Sequence, residues 1–301
     1  LDTSDDWIVS RTGVRERRKV KEGQGTLSLS LDASEKALKD AGIQASDLDA
    51  IICCTFTPDY PLPATACMLQ DALGAGPIAA FDLAAACSGF VYGLVTASGL
   101  IGSGMFETVL VVGADTVSSM TDYEDRSSCI LFGDAAGAAV IQKSDKPGQG
   151  LLFSDLGSDG SGHKLIWVPG GGSKEPLSNK VLNERLNLIK MMGRDVYKFA
   201  VPQMQRMMTQ AVEAAGITLD EIKLMIPHQS NLRIIESACK RAGFPLDRTY
   251  VNIDRFGNTS AASVPLCLDE ARTQGLVGES DLVMLVAIGG GLTWATAILR
   301  L

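Results

Sequence analysis

Two stretches of this chain, "ALKDAGIQASDLDAIICC" from Ala37 and "AVEAAGITLDEIKLMIPH" from Ala211, align without a gap at an offset of 174 residues (211 − 37). Ala37, Ala41, Gly42, Ile43 and Ile52 meet identical partners. Each copy reads as a helix, a glycine stop, a short acidic turn and an apolar strand. A repeated unit of this kind restricts the chain to an α/β architecture written twice.

The hydrophobic periodicity agrees. Short apolar strands are expected at 49–55, 78–84, 107–114, 137–142, 151–156, 223–227, 249–253, 281–288 and 296–299, with helices between them. A second pairing sets "CSGFVYGLVTASGLIGSG" from Cys87 against "NTSAASVPLCLDEARTQG" from Asn258, at a nearby offset of 171 (258 − 87). It makes Cys87 and Asn258 equivalent residues at the starts of equivalent helices. The segment "KSDKPGQG" over 143–150 reads as the linker, so the halves are 1–145 and 146–301. At this offset the first-half counterpart of the strand at 151 falls before Leu1, so the chain is expected to lack an N-terminal strand and its hairpin partner, about 25–30 residues.

With 46% hydrophobic and 21% charged residues over 301 positions, the composition is that of a soluble globular protein. A net charge of −8 argues against a nucleic-acid binder. Seven cysteines without a CxxC pair and only two histidines, His163 and His228, argue against a disulfide framework or a metal site. The uncharged run from Leu83 to Phe106 is read as a buried strand and an all-apolar helix rather than a membrane span.

The chemistry concentrates at strand ends, where open α/β sheets place their sites. Cys87 in "DLAAACSGF" stands at a helix start, where free N–H groups and the helix dipole are expected to lower its thiol pKa. His228 follows the strand "KLMIP", and Asn258 lies in "FGNTSAAS". An imidazole and a carboxamide side by side can both donate to one developing oxyanion. The triglycine in "AIGGGLTWATAIL" brings the Gly290 N–H close enough to join that of Cys87 in an oxyanion hole. Each residue also has a plain reading: a buried thiol, a loop histidine, a helix N-cap.

The ordered motifs "DTSDDWIVSRTGVRERR", "AACSGF", "FGDAAGAAVI", "GRDVYKFAV", "PHQSN", "FGNTSAAS" and "GGGLTWATAIL" cover essentially the whole chain, and together they resemble the 3-oxoacyl-[acyl-carrier-protein] synthase III family. The resemblance implies a thiolase-like fold, two similar α/β halves in a layered αβαβα arrangement. It implies catalytic Cys87, His228 and Asn258. Cys87 would take an acyl group from acyl-CoA and pass it to a decarboxylated malonyl group on acyl carrier protein (ACP), starting fatty acid synthesis without metal or cofactor. By the same likeness Trp7 and Arg126 sandwich the CoA adenine, Arg11 meets its phosphates, and Gly193 and Asn231 line the pantetheine path. Lys198, Arg233, Lys240 and Arg241 match the patch that docks ACP. Leu62 stands where the family commonly places an aromatic residue that reaches the partner subunit's acyl pocket. Ser230 replaces the usual alanine in "HQSN". A cytoplasmic homodimer of bacterial type is implied, with a plastid origin left open.

The histidine count separates this branch from relatives that use Cys-His-His or Cys-His-Cys: His163 is the only other histidine, and no cysteine follows Cys267. Three rivals stand beside it. A papain-like protease shares the order Cys, His, Asn, but not the local motif or a duplicated chain. A synthase priming polyketide or signalling-molecule assembly shares the motifs, and a non-catalytic thiolase-fold partner shares the architecture.

Overall fold

The two copies of the repeated stretch fold alike. The computed structural model describes residues 1–301. In chain order its elements are α1 (Asp5–Thr12), α2 (Thr26–Ala41), β1 (Ala50–Cys54), α3 (Thr65–Leu73), β2 (Ala79–Leu83), α4 (Gly89–Gly102), β3 (Thr108–Thr116), β4 (Asp134–Gln142), β5 (Gly150–Ser158), β6 (Ile166–Trp167), α5 (Asn179–Asn183), β7 (Lys190–Met191), α6 (Gly193–Ala215), β8 (Leu224–Pro227), α7 (Leu232–Ala242), α8 (Ile253–Phe256), α9 (Ser263–Thr273), β9 (Leu282–Gly289) and β10 (Thr293–Arg300). The helices α2 and α6 both stop at a glycine in the left-handed region, Gly42 and Gly216, each at φ 68°. A glycine adopts that conformation without steric cost, which frees the chain to turn back into β1 and β8.

The strands form two main sheets of order β2-β1-β3-β4 and β5-β10-β9-β8. Each holds the parallel pair expected of the repeat, β1 with β3 in the first and β8 with β9 at the edge of the second, and the strand beyond β3 or β9 is antiparallel. Strand alternation sorts the side chains into layers. Ala50, Ile52 and Cys54 of β1 face a core shared with Phe90 and Leu94 of α4, Val264 and Cys267 of α9, and Val283 and Leu285 of β9. Ile51 and Cys53 face the other way, onto Leu38 of α2 and Ala66 and Leu69 of α3. Met225, Met284 and Ile298 of the second sheet pack outward on Met204 and Met208 of α6 and Ile235 of α7. The layers therefore run helices, sheet, helices, sheet, helices. Sandwiched between two sheets, α4 must be apolar all round, and no helix is long and apolar enough to cross a membrane. Phe90 is fully buried there; truncating such a side chain to alanine costs about 3–5 kcal/mol.

Three expectations change. The segment 249–253 is not a strand: Thr249 makes one isolated bridge to Met225, and Ile253 already opens α8. β10 is flanked by β9 and β5, whereas β4 pairs with β3 alone. Both main sheets nonetheless hold four strands, because the second half also lacks a paired counterpart of β2. Finally, the turn and helix at 86–102 and the turn and helix at 260–273 superimpose at the main offset, since Ala86–Ser88 and Ser260–Ala262 form matching turns 174 residues apart. The structural counterpart of Cys87 is thus Ala261, and Asn258 lies three residues earlier.

Candidate active site

That register gives the site its logic. The turns before α4 and α9 are both entered through a residue in the left-handed region, Ala86 at φ 48° and Ser260 at φ 53°. In the second half the Ala261 N–H is capped by a carboxylate oxygen of Asp115, at 3.2 Å. The residue of β9 that matches Asp115 of β3 is Gly289, which has no side chain to offer. The Cys87 N–H is accordingly left without a protein carboxylate, and the chain is packed tightly around it: a Cβ on Gly289 would lie 2.8 Å from the Cys87 nitrogen. The N–H groups of Cys87 and Gly290 both point at the Cys87 sulfur and favour negative charge there.

Burial of the thiol outweighs those donors. Desolvation pushes the Cys87 thiol up to about 12, with hydrogen bonding from Ser260, Cys87 and Gly290 acting in the opposite direction. This reverses the lowering expected from the helix start: Cys87 sits inside the short turn Ala86–Ser88 that precedes α4, and the surrounding apolar layers remove more solvation than the N–H groups return. The resting thiol is protonated at neutral pH.

His228 follows β8 directly, its N–H bonded to the Val286 carbonyl at 2.7 Å. Its Nδ1 lies 2.7 Å from Ser263 Oγ, which meets the Gln229 N–H on another side at 3.4 Å. With no other acceptor in reach, the Ser263 hydroxyl donates to Nδ1, which leaves the ring proton on Nε2. Desolvation lowers the imidazole to about 3, so the ring is neutral and acts only as a donor. Asn258 follows α8, not a strand end, and is fixed by a short bridge to Phe132: its N–H donates to the Leu131 carbonyl at 2.8 Å and its carbonyl accepts from the Gly133 N–H at 3.0 Å. Asn258 Oδ1 accepts from the Ser260 N–H at 3.0 Å, so the amide turns its NH2 group away from that contact. It caps neither α8 nor α9.

Cys87, His228, Asn258, Gly290, Gly193 and Asn231 all line one cavity of about 260 Å³, walled mostly by apolar side chains such as Phe132, Trp167 and Ile288. Asn231 also caps α7 through the Arg233 N–H (2.9 Å) and donates to the Arg11 carbonyl (3.3 Å), joining α1 to the cavity mouth. Arg11 and Arg126 each place a guanidinium carbon 4.8 Å from the centre of the Trp7 ring, so these three residues do meet; an adenine entering between Arg126 and Trp7 would displace that cation–π contact. Lys198, Arg233, Lys240 and Arg241 are exposed on α6 and α7, although Arg233 turns back to the Ser10 carbonyl. Leu62 does not line this cavity and is 86% exposed. His163 lies outside it as well, bonded to the Gly160 carbonyl.

Ser263, Ser260 and Asp115 escaped the sequence reading. Each acts on a residue at least 35 positions away, Ser263 on His228 being the nearest, and no local motif marks such a pairing.

The fold agrees with the comparisons to known proteins. Two family models match, 3-oxoacyl-[acyl-carrier-protein] synthase III over residues 81–160 and its C-terminal counterpart over 212–301. A beta-ketoacyl-[acyl-carrier-protein] synthase III of Caldanaerobacter subterraneus is 47% identical over 300 residues, spanning 100% of this chain and 90% of that protein. The chain belongs to the 3-oxoacyl-[acyl-carrier-protein] synthase III family. Among solved structures, the synthase III of Aquifex aeolicus superimposes with a TM-score of 0.92 at 41% identity, covering 100% of this chain and 92% of that one. The priming beta-ketosynthase of a polyketide biosynthetic pathway does so at 0.91 and 32%, covering 100% and 89%. Synthase III relatives thus share the thiolase fold expected from the motifs.

Proposed function

We propose that this synthase III family member is an acyltransferase that condenses an acyl-CoA primer, acetyl-CoA by default, with malonyl-ACP to give 3-oxoacyl-ACP and so starts type II fatty acid synthesis. One observation carries this reading: a single cavity gathers a thiol, two N–H groups turned toward it, and two neutral side-chain donors. In the first half-reaction the Cys87 sulfur adds to the primer thioester carbonyl, the oxyanion is held by the N–H groups of Cys87 and Gly290, and CoA leaves as its thiol. In the second, malonyl-ACP places its thioester oxygen between His228 Nε2–H and the Asn258 NH2. Loss of CO2 leaves an enolate on that oxygen. A neutral imidazole suits the step, because it stabilises the enolate without protonating the carbon that must attack. The enolate carbon attacks the acyl carbonyl on Cys87, the C–S bond breaks, and the sulfur is reprotonated.

The reaction runs on side chains and the substrates' own thioesters, with no resident cofactor or metal. Trp7, Arg11 and Arg126 hold the nucleotide end of CoA, and the exposed cations Lys198, Arg233, Lys240 and Arg241 receive the acidic carrier protein. Intact-mass spectrometry after incubation with a panel of acyl-CoAs, then malonyl-ACP, tests the reading. An acyl increment that malonyl-ACP discharges is expected; an increment that persists in Cys87→Ala would refute it. Should long or branched acyl groups load in preference to acetyl, they would replace acetyl as the primer.

A further inference from the structure

Acylation needs a base, and neither member of the donor pair supplies one. His228 has its proton on Nε2 and its Nδ1 lone pair occupied by Ser263, and Asn258 presents only an amide. We propose that Ser260 is a further catalytic residue, whose hydroxyl passes the Cys87 proton to the carboxylate of Asp115 while the sulfur attacks.

The hydroxyl of Ser260 is buried, lines the cavity beside Cys87, and makes no well-formed hydrogen bond of its own, which is unusual for an interior hydroxyl. It is held at φ 53°, a conformation that is costly for any residue with a side chain and persists only where its surroundings impose it. The Asn258 Oδ1 bond to the Ser260 N–H and the Asp115 bond to the Ala261 N–H do so from either side. The matching turn of the first half has Ala86 at this position, so the hydroxyl belongs only to the turn that faces Cys87.

Asp115 is fully buried on β3 with no cation paired to it. Its Oδ1 is held by Thr55 Oγ1, Thr57 Oγ1 and the N–H groups of Phe56 and Thr57 at 2.9–3.2 Å, while Oδ2 accepts only from Ala261, leaving a lone pair toward Ser260. Both Cys87 and Asp115 feel the Ser260 hydroxyl, which favours charge on either. Burial raises Asp115 above the ordinary carboxylate range and makes it the stronger base. The step balances: the S–H proton moves to Ser260 Oγ as the Ser260 proton moves to Asp115 Oδ2, the sulfur forms its bond to the acyl carbon, and the departing CoA sulfur takes the proton back along the same line.

The proposal rests on the acyl-transfer reading above, and its test separates the two. Acyl-enzyme formation is timed by intact mass in wild type, Ser260→Ala and Ser260→Gly, and the pH midpoint of Cys87 alkylation by iodoacetamide is measured in each. Glycine suits the left-handed φ, so a purely conformational role leaves Ser260→Gly at the wild-type rate. We expect both variants to acylate at least tenfold more slowly and to alkylate with a midpoint moved to higher pH. The other titratable groups about this line, Cys53 and Cys54 on β1, Asp82 on β2 and His228 after β8, are the same in every variant. Asp115→Asn, where it folds, should slow acylation as much as Ser260→Ala, and the double variant no further. Wild-type rates and unmoved midpoints in both Ser260 variants overturn the proposal. Absence of any acyl adduct on wild type overturns the condensing reading instead, and the alkylation midpoints still decide the Ser260 contact.

Discussion

The histidine shows how a neighbour assigns a role that the residue type leaves open. His228 by itself could be a base, an acid or a donor. The Ser263 hydroxyl on Nδ1 and the loss of solvent around the ring reduce those to one, a neutral Nε2–H donor. The same burial has a cost in acid. Unfolded, the imidazole titrates near its ordinary 6.5; folded, near 3. Below pH 6.5 the unfolded chain takes up a proton that the folded chain refuses, so stability falls as pH drops from 6.5 toward 3 and is unaffected above that window. Denaturant unfolding at pH 7 and pH 5.5 should show wild type losing about 1 kcal/mol more than His228→Asn over that interval. Equal losses would mean that the ring is solvated.

Among the elements, the turns after β2 and before α9 do most to shape the site. They are copies of one backbone design, and the exchange behind them that matters most is Asp115 on β3 against Gly289 on β9. The carboxylate satisfies one N–H, and the glycine leaves the other for substrate. Gly289→Ala would place a methyl 2.8 Å from the Cys87 nitrogen and 3.1 Å from the Ala85 carbonyl oxygen. The backbone must shift, with a stability loss of about 1–3 kcal/mol. We expect a melting temperature a few degrees lower and acyl-adduct formation reduced far beyond what that loss explains; a folded Gly289→Ala protein that acylates normally would show that the Cys87 N–H is dispensable. This exchange also explains why aligning Cys87 with Asn258 failed. Matching chemically interesting residues shifted the register by three, whereas the backbone repeats at 174 through both turns.

For the whole molecule, the outer edge of β2 is open, since β2 pairs with β1 alone, and Phe81 on it is exposed. We expect two copies to pair there, extending the sheet across a two-fold axis, with Leu62 and its loop reaching toward the partner's cavity. Sedimentation should give twice the chain mass for wild type and half of that for Phe81→Asp; a monomeric wild type would leave Leu62 without a role in primer choice. Much of this molecule was legible before any coordinates. The duplication, the alternation of strand and helix and the apolar helix α4 follow from periodicity, and the motifs around Cys87, His228 and Asn258 mark them as candidates, because both signals depend on residues close in sequence. What only the tertiary structure decided is which proton sits where: the raised thiol of Cys87, the donor face of His228, and the carboxylate of Asp115 behind Ser260. Those depend on solvent excluded by layers assembled from both halves and on partners brought together across as many as 173 residues (260 − 87, Ser260 beside Cys87), and neither leaves a trace in local sequence.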